Sequence, residues 1–292
     1  MTANASTGYF TEEASVQTVN ARMGPSADAR LARVMASLVS HLHAFVKDVA
    51  LTQDEWSLAI DFLTRTGKIC DENRQEYILL SDVLGVSMLV DAINNRRPQG
   101  ATENTVLGPF HVDGVPEYPM GASITKDGGR ETCLFEGTVT DLDGTPLEGV
   151  RIDVWSDNED GFYDVQQPGV QPAHNNRGVF VTGEDGRYWF QGIRPVSYPI
   201  PDDGPVGQLL AQLGRHPYRP AHMHFIISRD GFETVITHTF VAGDAYLDSD
   251  AVFGVKQSLI ATFVPVQDGE TKWRSTYDFV LQRRGVMQGT SE

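Results

Sequence analysis

From Asp28 to about Ala50 the apolar residues Leu31, Val34, Met35, Leu38, Leu42, Phe45, Val46 and Val49 recur at steps of three and four. That spacing draws a single stripe along a helix. A second helix is predicted to begin at Thr52. Thr52 and Glu55 have capping-box spacing, and Trp56, Ala59, Ile60 and Leu63 then line one face. A third is predicted from about Ser81 to Asn94, with Ser81 or Asp82 as N-cap. Stripes of this kind serve core packing or a contact between helices of two subunits, more often than a ligand groove.

Near residue 105 the texture changes to Gly, Pro and Asp punctuation between short β-prone runs. The segment from Cys133 to Asn158 reads as a strand, a turn containing Asp143-Gly144, a loop and a second strand. In the second strand Val150, Ile152 and Val154 alternate with Arg151, Asp153 and Trp155, so its faces differ. The runs 186–195 and 222–241 supply three more strand candidates. The fold class expected is mainly β with an α-helical N-terminal part: a helical domain over 1–105 and a β-sandwich over 106–292. No fixed-period repeat, low-complexity tract or glycine-rich phosphate loop is present, which removes the usual support for a nucleotide cofactor.

At 292 residues, 40% hydrophobic and 21% charged, the chain is an ordinary globular protein long enough to bury a metal site. The start lacks a basic region followed by an apolar run, and no stretch approaches the ~18 apolar residues of a spanning helix. A cytoplasmic protein without membrane insertion is the expectation. The net charge of −16 disfavours nucleic acid and anionic membrane surfaces. Cys70 and Cys133 form no CxxC pair, and are expected to be ordinary buried thiols of a reducing compartment.

The run Arg219-Pro-Ala-His-Met-His-Phe225 holds the first candidate chemistry. In a strand His222 and His224 point to the same side, so two imidazoles can reach one metal ion. His-x-His alone is a weak signal that also serves zinc and copper. Tyrosines add to it. Tyr198 sits in the proline-stiffened stretch Arg194-Pro-Val-Ser-Tyr-Pro-Ile-Pro201, and Tyr163 in a turn after the Val150–Trp155 strand. Any one tyrosine is more often a packing residue with its hydroxyl bonded.

Taken in order, Thr105-Val-Leu-Gly-Pro-Phe110, Gly161-Phe-Tyr163, Tyr198-Pro-Ile-Pro201, Asp203-Gly-Pro-Val-Gly207 and Gly214-Arg-His-Pro-Tyr-Arg-Pro-Ala-His-Met-His224 resemble the intradiol ring-cleaving dioxygenase family over nearly the whole chain. Among its branches, the chain is most similar to those acting on hydroxyquinol; branches acting on catechol and chlorocatechols are the alternative. The resemblance implies one Fe(3+) per subunit, O2 as co-substrate, and opening of 1,2,4-trihydroxybenzene to 3-hydroxy-cis,cis-muconate (maleylacetate) in aromatic catabolism. By the same resemblance Tyr163, Tyr198, His222 and His224 are the metal ligands, and Tyr198 is also a proton acceptor that leaves the metal. Phenolate, a hard anionic donor, suits ferric iron. Arg219 falls at the position where that family places a charge-stabilising arginine. His238 stands where the catechol branch carries glutamine, so its catalytic role, or a third-histidine ligand role, is open.

Leu79, Asp82, Val106, Leu107, Pro109, Phe110, Ile200, Pro201 and Val252 are the substrate-binding wall that the resemblance implies. Asp82 there could accept a hydrogen bond from a third ring hydroxyl, whereas a hydrophobic wall would suit catechol or chlorocatechol; Asp82 is equally a natural N-cap for the 81–94 helix. The family also implies a homodimer through the N-terminal helices, with a lipid-like molecule bound between them. Two other classes compete: a transthyretin-like binding module, which needs no such residues, and a zinc hydrolase built on His222, His224 and His238.

Overall fold

The computed structural model describes residues 9–24, 28–72, 74–267, 269 and 271–285. The expectation of no secretory signal falls largely on residues 1–8, outside those described. Two compact units are present, Met1–Lys68 and Ile69–Glu292.

The first unit holds helices α1 (Ser15–Asn20), α2 (Ala29–Asp48) and α3 (Gln53–Lys68). Both predicted N-termini are where the capping residues place them. Asp28 accepts a hydrogen bond from the Leu31 amide at 2.7 Å. Ahead of α3, Thr52 N donates to Glu55 Oε2 at 2.9 Å and Glu55 N donates to Thr52 Oγ1 at 3.3 Å. This reciprocal pair satisfies two amides that the helix cannot. The 20-residue α2 carries its apolar stripe without a single buried residue.

The second unit begins with α4 (Glu76–Val83) and α5 (Val86–Asn94). The single helix expected over 81–94 is therefore corrected to two. Gly85, at φ 72°, closes α4 in the left-handed region open to glycine, and α5 starts beyond it. Ser81 and Asp82 lie inside α4 and cap nothing; Ser81 instead meets the Ser87 hydroxyl at 2.8 Å. The earlier start follows from Glu76, which reads as a surface residue but is buried, accepting from Val206 N at 3.1 Å. It is also paired with Arg74, which reaches on to Asp203. Leu79, Leu80 and Val83 then pack on Val206 and Leu210 of α6 (Pro205–Gln212). That packing puts α4 in the same compact unit as the sheets, so the division into units falls at 68/69, earlier than the change of texture at 105.

The strands are β1 (Thr132–Asp141), β2 (Arg151–Trp155), β3 (Arg177–Val181), β4 (Arg187–Ile193), β5 (Tyr198–Pro199), β6 (Tyr218–Arg219), β7 (His222–Ser228), β8 (Val235–Val241), β9 (Ile260–Ala261), β10 (Phe263–Pro265), β11 (Trp273–Thr276) and β12 (Phe279–Leu281). One five-stranded sheet is built around β1, which pairs in parallel with β11 and β12 and antiparallel with β4; β10 extends it beside β11. The other runs β3-β2-β7-β8-β9, and β5-β6 form a separate ladder. Phe135, Val139 and Phe190 from the first sheet meet Ile152, Val154, Phe180, Met223 and Phe225 from the second. Phe135, Phe190 and Phe180 stack at 5.0 Å steps through this core. Each such side chain contributes roughly 1.5–3 kcal/mol by leaving water. Cys133 is a buried thiol as expected, while Cys70 is only half-buried. Among the described residues no helix is long and apolar enough to cross a membrane.

Candidate metal centre

Alternation along β7 decides where the site is. Met223, Phe225 and Ile227 enter the sandwich core, so His222 and His224 face the outer side of the sheet. That outer side is roofed by three segments. Residues 105–111 cross it with Thr105 N bonded to Ile236 O at 2.8 Å, and His111 packs against Trp155 at 4.9 Å. The 156–163 turn is shaped by Asn158, whose side chain accepts from the amides of Asp160 and Phe162, and by Gly161 at φ 81°. The third segment brings in Tyr198 on β5, opposite Arg219 on β6.

Under this roof four donor atoms converge. His222 Nε2 and His224 Nε2 lie 3.1 Å apart, His224 Nε2 and the Tyr163 hydroxyl 2.9 Å, and the two tyrosine hydroxyls 3.2 Å. Nitrogen and oxygen donors held ~2 Å from one ion sit about 3 Å from each other. The tautomer of His222 is fixed: the Pro220 carbonyl, 2.7 Å from Nδ1, can only accept, so Nε2 presents its lone pair. Burial drives His222, His224 and His238 well below the ordinary imidazole pKa, and the nearby Arg219 charge pushes the same way; all three are neutral and ligand-competent. Burial raises both phenols, that of Tyr198 being opposed by Arg219. Burial also works against the charge on Arg219, but Asp250 and the two tyrosines outweigh it.

The sequence-predicted residues come together unevenly. Tyr163, Tyr198, His222, His224 and Arg219 are buried within one constellation, and His238, the cross-strand partner of His224, joins it. The three histidines offer ligand atoms within 4.8 Å of one another and could hold a metal. His238 Nδ1 faces Thr105 Oγ1 at 3.1 Å, and its Nε2 has no hydrogen-bond partner. Leu79, Ile200 and Val252 share an apolar cluster, Phe110 stacks on Tyr163 at 4.6 Å, and Asp82 feels the charges of Arg219 and Asp250. Val106 is half-buried, whereas Leu107, Pro109 and Pro201 are exposed.

Several contributors escaped the sequence reading. Trp155 stacks flat on His224 at 4.6 Å and 13°. Gly108 lies so close that a Cβ there would stand 3.0 Å from His224 Cε1. Asp157 is 1% exposed, and neither carboxylate oxygen has a hydrogen-bond partner. Burial pushes its carboxyl well above the usual range, and the nearby Val196 and Asp157 amides, outside good hydrogen-bond geometry, oppose it only weakly. Above ~3.9 an unfolded Asp157 sheds a proton that the folded chain keeps, so this group makes stability fall as pH rises, by up to about 1.4 kcal/mol per pH unit. In urea titrations of the metal-free chain, Asp157→Asn should therefore gain on the wild type as pH climbs from about 4. A stability difference independent of pH would rule out a neutral buried carboxyl.

Comparison with known proteins agrees with this geometry. Residues 112–283 match the family model described as Dioxygenase, and residues 28–102 match Catechol dioxygenase N terminus. A hydroxyquinol 1,2-dioxygenase of Rhizobium sp. is 58% identical, over 94% of this chain and 97% of its own. A 6-chlorohydroxyquinol 1,2-dioxygenase of Cupriavidus pinatubonensis is 52% identical, over 90% of this chain and 94% of its own. The crystal structure of hydroxyquinol 1,2-dioxygenase from Pseudomonas putida superposes with a TM-score of 0.88 at 44% identity, covering 93% of this chain and 98% of that one. With a metal-competent cluster on the outer face of its second sheet and both family models matched, the chain belongs to the intradiol ring-cleaving dioxygenases.

Proposed function

We propose that this dioxygenase opens the ring of hydroxyquinol, with ferric iron held by Tyr163, Tyr198, His222 and His224. The observation that carries the iron reading is the donor set: two neutral imidazoles and two phenols linked by contacts of 2.9–3.2 Å. Zinc chemistry on three histidines leaves the two phenols unexplained: the Tyr163 hydroxyl touches His224 Nε2 at 2.9 Å and the Tyr198 hydroxyl at 3.2 Å, and phenolate donors suit ferric iron. When bound, iron supplies a Lewis-acidic centre at which a 1,2-diol and O2 can react.

The chain's own residues do the rest. Tyr198, beside Arg219, would hold the iron as a phenolate, and in that deprotonated form it can take a proton from a substrate hydroxyl and become a neutral phenol. Arg219 keeps its charge despite burial and stabilises negative charge developing on the ring. Its Nη1 now rests 3.2 Å from His222 Nε2; if that nitrogen binds metal, the guanidinium is left with a donor for substrate. His238 serves as a neutral polar wall, set by Thr105. The apolar cluster of Leu79, Ile200 and Val252 excludes water, and Phe110 covers Tyr163.

Selection of hydroxyquinol falls to Asp82. With the N-cap role removed, its half-buried carboxyl has the Ser87 hydroxyl and the Arg219 charge as neighbours. It is free to accept from a third ring hydroxyl. The test is oxygen uptake on hydroxyquinol, catechol and 4-chlorocatechol, in wild type and Asp82→Leu. Wild type should prefer hydroxyquinol, and the variant should lose that preference by about 10–100-fold, the worth of one hydrogen bond to a substrate hydroxyl. Equal wild-type rates on hydroxyquinol and catechol would overturn the substrate assignment, and an active iron-free, zinc-loaded enzyme would overturn the metal.

A homodimer through the N-terminal helices belongs to the same reading. Leu31, Leu42, Phe45 and Val49 on or beside α2 are more than half exposed, a continuous apolar face that soluble proteins seldom leave to water. A lipid-like molecule between two such faces would fit that surface, and placement in the cytoplasm suits the buried Cys133 thiol.

A further inference from the structure

Arg219 is aimed by a residue outside the sequence motif that contains it. We propose that Asp250 is the positioning residue that orients the Arg219 guanidinium toward the ring-cleavage site; this rests on the role assigned to Arg219 above. The Asp250 side chain is 2% exposed and that of Arg219 4%. Asp250 Oδ1 accepts from Arg219 Nε at 3.3 Å and from Val252 N at 3.2 Å, and Oδ2 accepts from Gly254 N at 2.8 Å. The carboxylate is thus anchored to its own loop and grips only the Nε side of the fork. The other two nitrogens turn toward the site, Nη1 to His222 Nε2 at 3.2 Å and Nη2 to His238 Nδ1 at 3.5 Å.

The loop also approaches the guanidinium from behind. A Cβ on Gly254 would stand 3.1 Å from both Arg219 Nη2 and Asp250 Oδ2, so backbone fills the space into which the fork could otherwise rotate. A planar cation held at one edge and blocked on another has one way to point. Asp82 on α4 senses both members of the pair, so the same ion pair stands next to the residue assigned to the third hydroxyl. A loop-capping role alone would need the two amide contacts and no guanidinium.

A double-mutant cycle on the iron-loaded full chain separates these roles: wild type, Asp250→Asn, Arg219→Met and the double variant. For each, kcat and KM on hydroxyquinol, anaerobic binding of catechol by the visible band, and Tm are measured. Asp250→Asn is expected to lower kcat by about 10²-fold, the scale of a misplaced catalytic group. Its catechol affinity should stay within about threefold, and the double variant should be no slower than Arg219→Met within the same margin. An Asp250→Asn kcat near wild type, or losses that multiply in the double variant, overturns the proposal. If Asp250→Asn instead fails to fold, recovery of Tm in the double variant supports it, because the stranded guanidinium is then the cause; a shared loss overturns it. A wild-type kcat in Arg219→Met removes the role of Arg219 itself and the proposal with it, an outcome distinct from failure of Asp250 alone.

Discussion

Tyr163→Phe is expected to keep the fold and lose the enzyme. The ring is fully buried and stacked under Phe110 at 4.6 Å, and phenylalanine preserves that packing. What goes is one oxygen, 2.9 Å from His224 Nε2 and 3.2 Å from the Tyr198 hydroxyl. The metal-free variant should unfold within about 0.5–1.5 kcal/mol per lost hydrogen bond of the wild type. Loaded with iron, it should show a shifted or bleached phenolate-to-iron visible band and turnover reduced by more than ~10²-fold, since even outer partners of a metal site cost 10–100-fold. The wild-type phenol is protonated in the metal-free chain because burial raises it, and a cation at the site reverses that preference. Proton release on iron addition should accordingly be smaller in the variant. Unchanged colour with unchanged turnover would take Tyr163 out of the ligand set.

Much of this was readable from residue order, for reasons that differ by element. The histidine pair follows from strand period alone, since Met223 and Phe225 must face the core. Trp155 carried the same signal: the alternation that buries Ile152 and Val154 puts Trp155 on the side of His224. The α2 and α3 starts were legible because caps are local chemistry. The break at Gly85 was not, because a lone glycine in an apolar run does not announce a left-handed φ. Strands β9–β12 are two to four residues long, and β11 and β12 pair in parallel with β1 more than a hundred residues away, beyond any local pattern. The tyrosines had no periodic signature, and family resemblance supplied them. Asp250 meets Arg219 across 31 residues, a contact that only the loop geometry creates.

The support behind Tyr163 predicts the largest loss of stability. Arg177, 1% exposed, donates through Nε to Asp164 Oδ1 at 2.7 Å and through Nη1 to the Phe110 carbonyl at 2.7 Å. Nη2 approaches the same Asp164 oxygen at 2.6 Å as an ionic contact without hydrogen-bond geometry. Asp164 follows Tyr163 directly and also accepts from His174 N at 2.9 Å, so one buried ion pair ties β3 to the ring and to its cover. Arg177→Met should cost about 3–5 kcal/mol, because it strands a buried carboxylate. At about 2–4 °C per kcal/mol, Tm should fall by roughly 6–20 °C. Adding Asp164→Leu should recover most of that loss, since neither charge is then left unpaired. Turnover should not return with it, because the Phe110 carbonyl still lacks its donor and the Tyr163 turn its anchor. A single variant as stable as the wild type would mean that water, rather than Arg177, compensates Asp164.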